Sequence, residues 1–366
     1  MRILVTGGAG FIGSHVADAY VQAGYDVWVL DNLSRGRREQ VNPHAHFVCM
    51  DLCSPDLKDL LAHERFDCIN HHAAQIDVRS SVADPCRDAR INILGTLNLL
   101  EGARAHGISR LIFASTGGAI YGEQQCFPAT EQQPTAPLSP YGVAKLAVEH
   151  YLEYYQQVHG IRYVILRYAN VYGPRQDLEG EAGVVAIFCG RILRGQRLSI
   201  YGDGEQTRDY VYVEDVARAN LLALHHLAEV NESRESGESV KPGERIGSVG
   251  SMECGVRTRP GLSNSRSQEV KKVLNIGTGI ETSVNALVAM LLEAADTDSP
   301  VVYLPGRPGE QARSAIDPRK ASHILGWSPL TPLAEGLLQT LAWFRIREAG
   351  SVQRSAISPI PMVTRR

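Results

Sequence analysis

Tyr141 and Lys145, in the run Ser139-Pro140-Tyr141-Gly142-Val143-Ala144-Lys145, stand at i and i+4 and share one face of any helix that carries them. An ammonium beside a phenol favours the phenolate, so such a pair can work as a base below the reference tyrosine pKa of about 10. A second polar motif, Phe113-Ala114-Ser115-Thr116-Gly117-Gly118-Ala119-Ile120-Tyr121-Gly122, closes a buried apolar run. A hydroxyl of Ser115 or Thr116 there can bond a substrate oxygen next to the tyrosine, although Ser and Thr also simply form turns at strand ends. The third motif, Gly7-Gly8-Ala9-Gly10-Phe11-Ile12-Gly13, lies between the first apolar run and the first helical pattern. Glycines permit its tight turn and let backbone amides approach a pyrophosphate, which the helix N-terminus also favours.

The second apolar run ends in Val29-Leu30-Asp31-Asn32. A carboxylate at Asp31 can accept bonds from the adenosine ribose hydroxyls of a dinucleotide and repels a 2′-phosphate, so the expected cofactor is NAD. Arg35, Arg37 and Arg38 follow and could argue for NADP, but a solvated basic loop accounts for them better. Asp51 and Leu52 end the third run, where they either flank the adenine or, for Asp51, cap the next helix.

These residues need a scaffold, and the chain supplies one. Short β-branched runs alternate with helical periodicity, the pattern of βαβ units in a parallel sheet covered on both faces. Strands are expected near 2–6, 26–30, 46–50, 67–70, 110–114 and 162–167, with helices over 11–23, roughly 84–106 and 139–159. The fold class is α/β, a doubly wound parallel sheet (Rossmann) over residues 1–174, with a smaller C-terminal substrate-binding domain over 175–348 that returns some elements to the first. Residues 229–271 hold no aromatic side chain and many charges, so they read as a disordered insertion, and 349–366 as a disordered tail.

Composition sets limits on partners. With 366 residues, 44% hydrophobic and 21% charged, the chain can bury a full core. A formal charge of -3 gives no general attraction to nucleic acid or anionic lipid, and no apolar run reaches bilayer length. The Met1 end shows no charged leader or cleavage site, and the seven cysteines form no C-x-x-C pair, which fits reduced thiols in a cytoplasmic protein and no metal centre.

Taken with Leu166-Arg167-Tyr168-Ala169-Asn170-Val171-Tyr172-Gly173-Pro174-Arg175-Gln176, Gly202-Asp203-Gly204-Glu205-Gln206-Thr207-Arg208-Asp209-Tyr210, Leu274-Asn275-Ile276-Gly277-Thr278-Gly279 and Pro305-Gly306-Arg307-Pro308-Gly309-Glu310, these motifs give a clear resemblance. The chain resembles the extended short-chain dehydrogenase/reductase family (NAD-dependent epimerase/dehydratase family), and within it the UDP-glucose 4-epimerases, over 1–228 and 272–345. The resemblance implies catalysis by Tyr141, Lys145 and Thr116, with Ser115 the alternative hydroxyl. It implies NAD held by Gly7, Gly10, Phe11, Ile12, Gly13, Asp31, Asn32, Asp51, Leu52, Ala73, Ala74, Asn92, Tyr141, Lys145 and Tyr168. It also implies a UDP-sugar held by Asn170, Val184, Tyr201, Arg208, Arg307 and Glu310, with Ser314 beside the carbon-2 substituent.

The implied reaction is reversible epimerisation at carbon 4 of a UDP-hexose, in a homodimer paired through the helices near 84–106 and 139–159. Leu94, Leu97, Leu100, Leu146 and Tyr151 offer apolar surface for that pairing. Related dehydratases and decarboxylases resemble one another in placing a carboxylate after the motif hydroxyl, whereas Thr116 is followed by Gly117 and Gly118. A dehydrogenase, dehydratase or uronate epimerase remains the alternative, and a non-catalytic NAD sensor is the remaining one.

Overall fold

A computed structural model describes residues 1–178, 183–235, 272–306 and 311–356. Seven parallel strands make the main sheet: β1 Arg2–Thr6, β2 Asp26–Asp31, β3 His46–Cys49, β4 Cys68–His71, β5 Arg110–Thr116, β6 Arg162–Tyr168 and, returning from late in the chain, β11 Val273–Ile276. Their order is β11-β6-β5-β4-β1-β2-β3. The connection reverses direction between β1 and β4, and ligands of such sheets lie at that switch, beyond the carboxyl ends.

Both faces are covered, so neighbouring apolar residues of one strand enter different cores. Ile3 and Val5 join Ile112, Ala114, Val164 and Leu166 on one face, beneath α1 (Phe11–Gln22) and α9 (Val213–Glu235). Leu4 joins Leu111, Phe113 and Ile165 on the other, beneath α2 (Leu57–Glu64), α5 (Gly95–Ala105) and α7 (Pro140–His159). The runs read as continuously apolar because each side of the pleat is buried.

The helix expected over 84–106 is three pieces: α4 (Pro85–Ala89), a π-helical turn (Arg90–Leu94) and α5. Just before it lies α3 (Val78–Ala83), and α6 (Gly117–Ile120) follows β5 directly. Leu100, expected at a subunit contact, is instead core, because its side of α5 packs beneath the sheet. Leu94 and Tyr151 are exposed, and Leu97 and Leu146 are half-buried.

Beyond β6 the chain builds a separate core from α8 (Val184–Leu193), β7 (Asn170–Tyr172), β8 (Leu198–Tyr201), β10 (Tyr210–Tyr212), α10 (Val284–Ala295) and α12 (Leu333–Ala356). β7 pairs with β10, β9 (Thr207–Arg208) with β12 (Thr282–Ser283), and β8 with β13 (Val301–Leu304). α11 (Arg319–Leu325) packs back on the first core through Ala321 and Leu325. Helices α9 and α12 run further than the composition implied, to Glu235 and Ala356. A helix needs only one apolar stripe, so charged residues on its other faces do not end it. The rest of the expected insertion and tail, 236–271 and 357–366, lies outside the described residues.

Candidate active site

At the switch point the glycines are required by space. Gly7 has φ +70°, and a Cβ on it would sit 2.6 Å from the backbone nitrogen of Ala73. One on Gly13 would lie 2.3 Å from Gly7 O. Gly10 begins α1 with no side-chain cap and no acidic residue follows in the first turn, so the helix's leading N–H groups point outward unopposed. This cradle fits the pyrophosphate of NAD. Phe11 and Ile12 are half-buried on its rim, Ile12 against the first core.

Asp31 is nearly buried and accepts from Ala9 N (3.1 Å) and Leu33 N (2.8 Å); burial raises its pKa against those two bonds. A side chain on Gly36 would collide with both its oxygens at 2.8 Å, so the carboxylate faces a tight backbone wall suited to ribose hydroxyls. The nearby arginines are committed elsewhere: Arg35 to Asp77 (3.7 Å), Arg37 to Asp177 (3.4 Å), Arg38 over the Phe47 ring. Asp51 caps no helix. It accepts from Cys53 N (2.8 Å) and from the Asn32 amide (2.7 Å), which lowers its pKa and ties β2 to β3 at their ends. Leu52 is buried under Gly95. Ala73 and Ala74 are half-buried beyond β4, where Ala73 N donates to Thr6 Oγ1 (3.2 Å). Asn92, on the π-helical turn, accepts from Gln75 N (2.8 Å) and donates to Gln75 O (2.9 Å), pinning that loop.

Ser139 starts α7, its hydroxyl accepting from Gly142 N (3.2 Å), with Pro140 in the first turn. Lys145 is buried, donates to Ala114 O (2.8 Å) and lies 5.9 Å from the Tyr141 ring centre. Burial brings its pKa down to about 8, with Asp88 and Glu149 opposing. The Tyr141 phenol is pushed up, first by burial and then by Asp88. The chain's own groups therefore do not lower it as the Tyr–Lys spacing suggested, because burial of the phenol outweighs the ammonium 5.9 Å from its ring centre.

The two candidate hydroxyls divide with the pleat. Ser115 points to the α7 side and donates to Glu149 Oε1 (2.6 Å), whose carboxylate also holds Arg167 (3.0 Å). Thr116 caps α6, accepting from Ala119 N (3.2 Å). A Cβ on Gly118 would lie 4.0 Å from Thr116 Oγ1 and 3.4 Å from Asn170 Oδ1, so both polar atoms border the space above that glycine. α6 abuts α7: a Cβ on Gly142 would touch Ala119 O at 2.8 Å.

Tyr168 ends β6 buried, its hydroxyl bonded by Asn220 Nδ2 (2.9 Å) and 3.2 Å from His72 Nε2. Val184 opens α8, Tyr201 ends β8, and Arg208 in β9 donates to Thr207 O (2.8 Å). Ser314 is buried, its N–H donating to Thr207 O (3.2 Å) and its hydroxyl accepting from Gln124 Nε2 (3.4 Å). Gln311 donates to Gly122 O (2.6 Å), so the 311–316 segment bridges Arg208's strand and the loop after β5. Arg307 and Glu310 lie outside the described residues. His72, Asp88, Gln124 and Asn220 escaped the sequence reading. Only the polar His71-His72 pair closing an apolar run signalled any of them.

Residues 3–236 match the NAD dependent epimerase/dehydratase family. The chain is 42% identical over 343 residues to a putative UDP-glucose 4-epimerase of Methanocaldococcus jannaschii, covering 94% of this chain and 98% of that protein. Its fold is similar to the crystal structure of Thermotoga maritima UDP-glucose 4-epimerase with UDP-glucose, with TM-score 0.81, 45% identity, and coverage of 95% and 100%. It is also similar to the Thermus thermophilus UDP-glucose 4-epimerase complex with NAD, with TM-score 0.78, 41% identity, and coverage of 94% and 99%.

Proposed function

The chain belongs to the NAD dependent epimerase/dehydratase family, and from that premise we propose that it interconverts the carbon-4 epimers of a UDP-hexose, UDP-glucose and UDP-galactose. One observation carries the reading furthest. Thr116 and Asn170 both approach the position over Gly118, on a turn that abuts the start of α7 where Tyr141 stands, and no carboxylate follows Thr116. Epimerisation needs only one acid/base and a reversible hydride, and the carboxylate that would serve elimination of water is missing after Thr116.

Bound NAD supplies a reversible hydride acceptor. Tyr141 removes the carbon-4 hydroxyl proton and later returns it, while Thr116 holds the same oxygen by a hydrogen bond. The Lys145 ammonium, anchored on Ala114 O, fixes positive charge beneath the tyrosine. Arg208 and Asn170 hold the diphosphate, with Arg307 and Glu310 completing the nucleotide site and Val184 and Tyr201 walling it. Because the sugar must turn over between the two halves of the reaction, binding rests on the nucleotide. Ser314, a small residue by the sugar, leaves room for an N-acetyl group.

The same reading makes the enzyme a cytoplasmic homodimer. No described helix is long and apolar enough to cross a membrane. Val143, Tyr151, Tyr154 and Val158 form an exposed apolar stripe along α7, with Leu94 exposed on the adjoining π-helical turn, and a second copy of this stripe is the partner that fits it. Incubating the purified protein with UDP-galactose and, separately, UDP-N-acetylgalactosamine, with product identification by NMR, tests the activity. The corresponding gluco epimers are expected; no change in either sugar would refute the reading.

A further inference from the structure

On the reading that Tyr141 is the base, we propose that Asp88 is a positioning residue whose carboxylate sets the pH range in which Tyr141 and Lys145 work. Asp88 sits on α4, which packs against α7, and is 1% exposed. Its Oδ1 is held between Gln75 Nε2 and Asn92 Nδ2, each at 3.0 Å. Its Oδ2 is buried with no hydrogen-bond partner. A buried carboxylate with one oxygen unsatisfied is costly, and a neutral amide would keep the clamp on Gln75 more cheaply. What the acid adds is a negative charge on a helix packed against α7, kept although burial raises its pKa.

That charge acts on both members of the pair. It makes a phenolate at Tyr141 harder to form and an ammonium at Lys145 easier to keep. The other ionisable groups that face the pair are few. Glu149 on α7 also supports the ammonium but is itself bound to Arg167 from β6 (3.0 Å). His71 and His72 at the end of β4 are held neutral by burial, with Lys145 depressing them further. Arg79, Arg87 and Arg90 on α3, α4 and the π-helical turn are exposed. Asp88 is thus the anion acting on both.

Without the charge, Tyr141 and Lys145 both give up their protons at lower pH, so both limbs of the rate profile move downward. The whole bell therefore slides toward acid in Asp88→Asn, by about one pH unit. A merely structural residue would lower the profile or the melting temperature without sliding it.

The test is the pH profile of kcat/KM on UDP-galactose for the NAD-saturated wild type, Asp88→Asn and Asp88→Glu, with the acid of Asp88→Glu restoring the wild-type position. A second readout needs no turnover: in protein labelled with ε-13C lysine and saturated with NAD, the Lys145 NMR midpoint should fall by about one pH unit in Asp88→Asn. Should Asp88→Asn misfold, Asp88→Ser keeps a hydroxyl acceptor for the clamp and should show the same shifts. An unmoved profile or an unmoved Lys145 midpoint in a folded variant overturns the proposal. A wild type inactive on every UDP-hexose sinks the assigned reaction instead, and the Lys145 midpoint still decides the role of Asp88.

Discussion

The neighbouring hydroxyls Ser115 and Thr116 have different jobs because a strand alternates its side chains. Ser115 is locked to Glu149 and Arg167, so Ser115→Ala should destabilise the protein by about 1–3 kcal/mol in denaturant titration while kcat changes little. Thr116→Val should lower kcat by about tenfold or more, and Tyr141→Phe by about 10²–10⁴ with NAD still bound. If Ser115→Ala proves the slower enzyme, the assignment is reversed. Ser314 is a tighter case, since it is buried against Gln124. On the proposed placement of Ser314 beside the sugar, Ser314→Tyr should cut the efficiency ratio of UDP-N-acetylglucosamine to UDP-glucose by about tenfold or more. An unchanged ratio would dismiss Ser314 as the gate. The Tyr141–Lys145 pair and Asp31 were legible in local spacing, whereas Asp88, Gln124 and Asn220 were not, because their partners are set by packing between distant segments.

Among the elements, the turn between β1 and α1 was the most legible, since only glycines tolerate its approaches. Gly13→Val would drive a side chain into Gly7 O, so NAD affinity by calorimetry should fall at least about tenfold. Wild-type affinity would show that the turn can relax. The first six strands were readable to within two residues because continuous apolar runs follow from a sheet buried on both faces, whereas the short strands beyond β6 were not placed. The π-helical turn was not: apolar periodicity continues through it, and what it does is swing Asn92 inward to Gln75 and Asp88. The return of β11 to the sheet edge was foreseen only in outline, because four residues, Val273–Ile276, carry too little pattern to show a partner.

At the scale of the whole molecule, the sheet buries a core on each face and carries the dinucleotide cradle at the β1–α1 turn, while the chain beyond β6 builds a third core and brings in Arg208 on β9. The exposed stripe on α7 predicts a dimer: light scattering at micromolar concentration should give twice the chain mass, and Tyr154→Asp together with Val158→Asp should give monomers. Wild-type protein that is monomeric at that concentration would contradict the pairing. The central claim is that the carbon-4 hydrogen leaves and returns within one closed site, with Tyr141 handling only the hydroxyl proton. UDP-galactose deuterated at carbon 4 tests it most directly. The account predicts UDP-glucose that keeps the deuterium at carbon 4, with no lasting reduction of NAD; loss of the label to water, or reduced cofactor formed in step with product, would contradict it.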